Sequence, residues 1–334
     1  MKAARLHAVG DLRVADEPVP VAGPGECLVR VTSVGICGSD LHWWDEAGIG
    51  DSTLDHPLVL GHEAAGVIAE GSRRGERVAI DPAIPCGVCR PCRDGYRNLC
   101  IRIRFAGHGG QDGALREFMT WPAGQLFALP DTLSDTDGVI LEPLGVAIHA
   151  LDLGHLRLGG TAAVVGCGPI GLLLIQVLRA AGAGEITAFE PLAHRRAAAA
   201  ALGVAAVDPA EAADLAGLTG EGVDVAFEVA GNDAAVQLAM AAARPGGRVV
   251  LGGIPGTDTT TFSASVARRK GLTIAMLRRM NEVYPRAIAL AAEKRVDLTT
   301  LVTARYPLAE AADAFRGAAA RTGLKAVIEP TPAP

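Results

Sequence analysis

Six residues near the middle of the chain restrict its fold more than any other stretch. Gly166-Cys167-Gly168-Pro169-Ile170-Gly171 follows the apolar run Thr161-Ala-Ala-Val-Val165 and opens a helical pattern over 170–181. A strand that turns so abruptly into a helix needs glycine: Gly166 for the tight turn, Gly168 so that a ligand can reach backbone N–H groups, and Gly171 so that helix and strand pack closely. The start of a helix attracts anions. The stretch is therefore a candidate cradle for the pyrophosphate of a dinucleotide, with Pro169 and Ile170 among the contacts; the plainer reading is a Gly-rich turn. Nineteen residues after Gly171, at the end of the next strand, comes Glu190. An acid there accepts hydrogen bonds from the adenosine ribose and repels a 2′-phosphate, which favours NAD over NADP, while Arg195 and Arg196 pull the other way.

The alternation continues with a helix over 195–202, a strand over 223–227, a helix over 234–243 and a strand over 248–251. This pattern predicts an α/β domain with a doubly wound parallel sheet. Before residue 140 the texture differs: short β-branched runs at 27–32, 64–68 and 77–80, punctuated by Gly and Pro, predict an irregular all-β region. After Tyr284, a helix over 286–294, a segment at 301–303, a helix over 308–320 and a strand over 325–328 are expected to return to that β-rich domain. With 334 residues the chain is long enough for two cores, and the expected divisions are 1–147, 148–283 and 284–334. The Pro-rich end, 330–334, reads as a frayed tail.

Four of the seven cysteines crowd together. Cys86, Cys89, Cys92 and Cys100 read C-x2-C-x2-C-x7-C in a stretch bent by Pro85, Gly87, Pro91 and Gly95. Four thiolates on one loop suit a tetrahedral Zn²⁺ with no open position, a structural site; an iron–sulfur cluster is the rival. Two other segments carry ligand types, Gly35-Ile-Cys37-Gly-Ser39-Asp40-Leu-His42 and Gly61-His62-Glu63-Ala-Ala-Gly66. Each alone is weak, since a lone cysteine in a β-rich core is usually a small hydrophobe. Together, Cys37, His62 and Glu63 supply S, N and O ligands for a zinc site with an open position, and Glu142, before Pro143, offers a further acid.

Composition excludes other classes. Lys and Arg number 31 against 37 Asp and Glu, a net charge of −6 with no long basic run, so neither nucleic acid nor an anionic membrane is an expected partner. The alanine-rich stretches are interrupted too often to span a bilayer. Met1-Lys2, followed by Arg5, His7 and Asp11, has no apolar leader, and a cytoplasmic location with reduced thiols is expected.

In order and spacing these pieces resemble the zinc-dependent medium-chain alcohol dehydrogenase family, and within it the sorbitol (polyol) dehydrogenase branch. The resemblance covers nearly the whole chain. It rests on 35–42, on Gly-His-Glu-Ala at 61–64, on the four-cysteine lobe, on Glu142-Pro143-Leu144 and on 166–171. It implies a GroES-like β-rich catalytic domain beside a Rossmann domain, two zinc ions per chain, NAD, and a homo-oligomer, either dimer or tetramer. By similarity Cys37, His62 and Glu63 would hold the catalytic zinc, with Glu142 a further ligand or a hydrogen-bond acceptor for its water. Ser39 and His42 would pass the alcohol proton to solvent, Arg195 would lie along the adenine, and Asp40 would brace a ligand, His62 being the expected one. The implied reaction is oxidation of a secondary hydroxyl of a polyol or sugar derivative, such as sorbitol or L-iditol, to a ketone. Two departures bear on substrate. Trp43-Trp44 and Arg278-Arg279 differ from the branch at positions that would face substrate, and the added arginine suits an anionic sugar acid. An L-idonate-type dehydrogenase and an L-threonine 3-dehydrogenase are therefore the alternatives, with a zinc-free quinone or enone reductase or a non-enzymatic NAD-binding regulator more distant.

Overall fold

The computed structural model describes residues 1–331 apart from 72, 212–218 and 257. One unit comprises Met1–Glu142, Asn281–Lys294 and Leu298–Pro334; the other comprises Pro143–Met280 and Arg295–Asp297. The first division falls inside the helix Asp135–Gly154. The short segment 295–297 belongs to the second unit for a local reason: Asp297 and Gln176 exchange hydrogen bonds of 2.7 and 3.0 Å, and Arg295 donates to the carbonyl of Ala180.

The first unit is organised by the strand Glu26–Gly35, buried along most of its length. Its sheet runs Leu126–Ala128, Arg77–Ile80, Glu63–Glu70, Glu26–Gly35, Lys325–Glu329, Val302–Pro307, and Phe118–Pro122 also pairs with Glu26–Gly35. Opposite Gly66 the ladder slips by a residue, between Val31 and Ser33; a Cβ at Gly66 would overlap the Arg30 carbonyl, so only glycine lets the strands approach there. Gly35 is the register point of the unit, facing Glu63 on one side and Val327 on the other. The late strands Lys325–Glu329 and Val302–Pro307 join this sheet, and the late helices belong to the same unit. Tyr284, at the start of the helix Tyr284–Ala292, stacks on Phe127 at 4.7 Å and donates to the Ile80 carbonyl at 2.8 Å.

Three expectations change. The helix Gly38–Glu46 stands inside the region predicted to be all β. Its two tryptophans are core residues rather than substrate-facing ones: Trp44 lies against Phe315 and Trp43 meets His108 edge-on, each at 5.5 Å, and both are buried. The chain end is also not frayed as far as residue 331. Thr331 is buried, its hydroxyl donating to the Val31 carbonyl at 2.7 Å and accepting from Arg30; 332–334 lie outside the described residues.

The second unit is a six-stranded parallel sheet in the order Ala205–Val207, Ile186–Phe189, Ala162–Val165, Val223–Glu228, Ala243–Leu251, Thr273–Met276. The strand that comes first in the chain, Ala162–Val165, lies third, so the winding reverses beside it. Ligands of open parallel sheets sit at the carboxyl end of the strands at such a reversal. The helix Pro169–Ala180 follows directly, its residues 171–178 buried against the sheet. No helix among the described residues is long and apolar enough to cross a membrane.

Candidate metal and nucleotide sites

Where the strand Glu26–Gly35 ends, Cys37 becomes the N-cap of the helix Gly38–Glu46. Its backbone N–H donates to Asp40 Oδ2 at 2.9 Å, which starts the helix and fixes where the cysteine points. The other Asp40 oxygen accepts the Gly61 N–H at 3.3 Å and lies 3.3 Å from His62 Nδ1. One carboxylate, 1% exposed, thus grips both ligand segments. With Nδ1 turned to Asp40, the ring presents Nε2 as its remaining nitrogen, and Ser39 Oγ stands 3.4 Å from it. Burial opposes charge on Asp40, yet His62 and the two backbone N–H groups hold its pKa below the usual carboxylate value. Burial likewise pulls His62 down, but Asp40 and Cys37 outweigh it and raise the imidazole well above its ordinary value.

Cys37, His62 and Glu63 each offer a ligand atom, and the three atoms lie within 4.8 Å of one another. Tetrahedral zinc with bonds of about 2.0–2.3 Å spaces its ligands roughly 3.3–3.8 Å apart, so a small contraction closes the group on an ion. The thiolate, imidazole and carboxylate chemistry fits zinc with one position left open. Glu142 is not among the three. It is buried nearby, where burial pushes its carboxyl up to about 7, Glu63 adding to the shift and His62 and Lys325 opposing it. His42 is partly exposed, with Nδ1 3.2 Å from Glu46 Oε1 one helical turn on. The residue that sequence reasoning passed over is Lys325, whose Nζ is 2.7 Å from both oxygens of Glu63. Its one visible signal is a lysine heading the otherwise apolar run Lys325-Ala-Val-Ile328.

The cysteine lobe gathers as its spacing suggested. Cys86, Cys89, Cys92 and Cys100 bring their sulfurs within 4.8 Å of one another, with Cys89 3.4 Å from Cys92 and 3.8 Å from Cys100. Sulfurs 2.3 Å from a central zinc stand about 3.8 Å apart. The space suits a single ion and is too small for several irons with bridging sulfides, which sets the iron–sulfur alternative aside. Backbone N–H groups of Cys86 and Arg102 point at Cys100 Sγ, and the Val88 N–H is the chief reason the Cys86 thiol is held down to about 6. Backbone N–H groups thus favour thiolates at Cys86 and Cys89, whereas burial, with Cys89 beside it, pushes the Cys92 thiol up to about 12.

In the second unit the glycines do what their spacing required. Gly166 has φ +101°, and a Cβ on Gly171 would overlap the Gly166 carbonyl, so helix and turn touch backbone to backbone. Gly168 caps the helix Pro169–Ala180, and Arg195 Nη1 comes within 3.6 Å of where a Gly168 Cβ would stand. Glu190 is more engaged than expected. It is buried, with Oε2 accepting the Cys167 N–H at 2.7 Å and Oε1 the Leu192 N–H at 3.0 Å, so it shapes the loop while each oxygen keeps a further lone pair. Arg196 is occupied by the carbonyls of Glu190 and Pro191 and by Asp208. A carboxylate not foreseen, Glu228, closes its strand by accepting N–H groups of Ala230, Gly231 and Gly253. The hint was an acid ending an apolar strand three residues before a glycine.

A β-rich unit with an open Cys–His–Glu group and a nucleotide-type parallel sheet together define a zinc-binding dehydrogenase. Residues 23–131 match the alcohol dehydrogenase GroES-like domain, and residues 169–293 match the zinc-binding dehydrogenase domain. The sequence is 36% identical to sorbitol dehydrogenase of Bacillus subtilis over 331 residues, 95% of this chain and 93% of that protein. The chain belongs to the zinc-dependent medium-chain alcohol dehydrogenase family, in its sorbitol dehydrogenase branch. Among solved structures, L-idonate 5-dehydrogenase of Escherichia coli is similar with a TM-score of 0.92 at 26% identity, covering 98% of this chain and 97% of that one. A zinc-binding dehydrogenase of Sinorhizobium meliloti bound to NADP gives a TM-score of 0.90 at 33% identity, covering 98% and 99%.

Proposed function

We propose that the chain is a zinc- and NAD-dependent oxidoreductase that converts a secondary hydroxyl of a polyol or sugar derivative to a ketone. The observation that carries this reading is the Asp40 carboxylate, which holds Cys37 and His62 beside Glu63 as three donors of a four-coordinate site, so that one position is left for a substrate oxygen. Bound there, zinc supplies a Lewis acid, and NAD at the glycine turn supplies the hydride acceptor. The chain itself handles the proton. Ser39 Oγ, beside His62, accepts it from the substrate hydroxyl, and the partly exposed His42 passes it to solvent next to Glu46. Glu142, buried nearby but not one of the three gathered donors, is assigned the hydrogen-bond acceptor role. Cys86, Cys89, Cys92 and Cys100 hold a second, structural zinc.

Gly166, Gly168, Pro169, Ile170 and Gly171 receive the pyrophosphate, Glu190 the adenosine ribose, and Arg195 the adenine. The acid at 190 and the engagement of Arg196 by carbonyls favour NAD over NADP. A second copy of the chain is the expected macromolecular partner, as dimer or tetramer. Thr273–Met276 ends its sheet with an open edge on which Ile274 and Met276 are exposed, a surface that strand pairing between copies would cover. The thiol-rich metal chemistry suits the reducing cytoplasm. One alternative substrate has its own support: Arg278-Arg279 and the similarity to L-idonate 5-dehydrogenase favour a sugar acid over a neutral polyol.

The test is NADH formation from a panel of sugar alcohols, inositols, aldonates and L-threonine, run with NAD and NADP, beside a zinc count. Two zinc per chain with turnover of polyols supports the proposal. Selective turnover of aldonates moves the substrate to a sugar acid. A single zinc with no turnover of any hydroxyl compound overturns the proposal.

A further inference from the structure

The strand Lys325–Glu329 carries a cation into a part of the first unit that water does not reach. Lys325 is 4% exposed and Glu63 is fully buried. The ammonium has three protons to place, and its Nζ lies 2.7 Å from each Glu63 oxygen and 3.0 Å from the Ile36 carbonyl. Ile36 adjoins Cys37, so the same ammonium touches both segments that carry the metal-ligand group.

Sheet register explains how the pair can form at all. Glu63 and Val327 flank Gly35 from opposite sides, so lysine and glutamate come from strands separated by a third. The carboxylate reaches across only because residue 35 has no side chain: a Cβ there would overlap Glu63 Oε2 and stand 2.8 Å from Val139 Cγ1. Gly35, Glu63 and Lys325 are thus one device.

The charge count shows what the device does. A divalent ion held by a thiolate, a neutral imidazole and a carboxylate has a net charge of zero. Asp40, the carboxylate behind His62, takes the group to −1, and the buried ammonium returns it to zero while competing for the same Glu63 oxygens. We propose that Lys325 is a positioning residue for the metal group: by holding Glu63 through both oxygens it limits how much of that carboxylate the ion receives, leaving the ion more electron-poor and more readily released. The proposal rests on the zinc site at Cys37, His62 and Glu63.

The experiment compares Lys325→Met and Lys325→Arg with the unaltered protein, each purified with zinc and again with Co²⁺ in the catalytic group. In Lys325→Met the freed carboxylate goes to the ion. Release to a chelator should slow about tenfold or more, the visible cobalt bands should shift, and the pH midpoint of kcat should rise by about one unit because a nearby positive charge is gone. Lys325→Arg keeps the charge and should stay close to the unaltered protein in all three. If Lys325→Met does not fold, Lys325→Gln, which also removes the charge, is read by the same three measurements with the same expectations, and a Lys325→Arg midpoint shifted as far as one unit would contradict the charge argument. Unchanged chelator release, cobalt spectrum and pH midpoint in a folded Lys325→Met protein would overturn the proposal. Should the unaltered protein bind a single zinc, in its cysteine lobe alone, the functional reading fails instead, and the two failures are distinct.

Discussion

Replacing Asp40 by asparagine isolates the part played by one carboxylate. Asp40 has two acceptor oxygens, one for the Cys37 N–H and one shared by the Gly61 N–H and His62 Nδ1. Asparagine has one acceptor and one donor. With its oxygen toward Cys37, its amide group faces the Gly61 N–H and His62; turned the other way, it faces the Cys37 N–H. In either orientation a buried N–H loses its acceptor, at a cost of about 1–3 kcal/mol. The first orientation also donates to Nδ1, which moves the ring proton to Nε2 and blocks the nitrogen meant for the metal. Loss of such a partner behind a metal-bound histidine typically weakens metal binding by about 10–100-fold, roughly 1.4–2.7 kcal/mol. Chelator competition followed by zinc emission should therefore find one of two zinc ions loosened and the cysteine-lobe ion untouched. Melting of the metal-stripped protein should fall by several degrees, at about 2–4 °C per kcal/mol for a chain of this size. An Asp40→Asn protein with two equally tight zinc ions and an unchanged melting temperature would refute the bracing role.

Three further outcomes test other parts of the molecule. Gly171→Ala drives a methyl into the Gly166 carbonyl, so NADH affinity measured by fluorescence titration should fall at least tenfold while zinc content stays unchanged; an intact affinity would show that the turn can move aside freely. Cys92→Ser removes one of four thiolates from a closed site, and proteolysis should begin in the lobe over 86–100 before any loss at the second zinc; equal protease resistance would argue against a structural ion. Asp224 is held below its unfolded value of 3.8, chiefly by the Thr161 N–H and then by Arg244, so its contribution is complete above about pH 4 and disappears as pH falls through the lower folded-state value. Asp224→Asn should accordingly cost about 1 kcal/mol in urea unfolding at pH 7 and converge with the unaltered protein in strong acid; a gap that widens in acid would contradict this assignment.

What the chain discloses without its structure is whatever depends on near neighbours. The cysteines at 86, 89, 92 and 100 lie on one loop and the glycines at 166, 168 and 171 lie on one turn, so spacing alone locates them; the longest helix, Asp135–Gly154, with Pro143 inside it, was not anticipated. The helix Gly38–Glu46 escapes that reasoning because its first turn, Gly38-Ser39-Asp40, is polar and opens on a glycine, and its start is set by a hydrogen bond from the Cys37 N–H to Asp40. Contacts between distant residues were decided by register. Lys325 meets Glu63 from 262 positions away because two strands flank Gly35, and Thr331 is tied to Val31 across 300. Trp43 and Trp44 turned inward because the first unit's core had room for two large rings beside Phe315 and His108. Identity and spacing therefore determined which atoms can bind a metal or a phosphate, whereas tertiary packing determined which charges surround those atoms, because a buried charge takes its partner from whatever strand folding brings alongside.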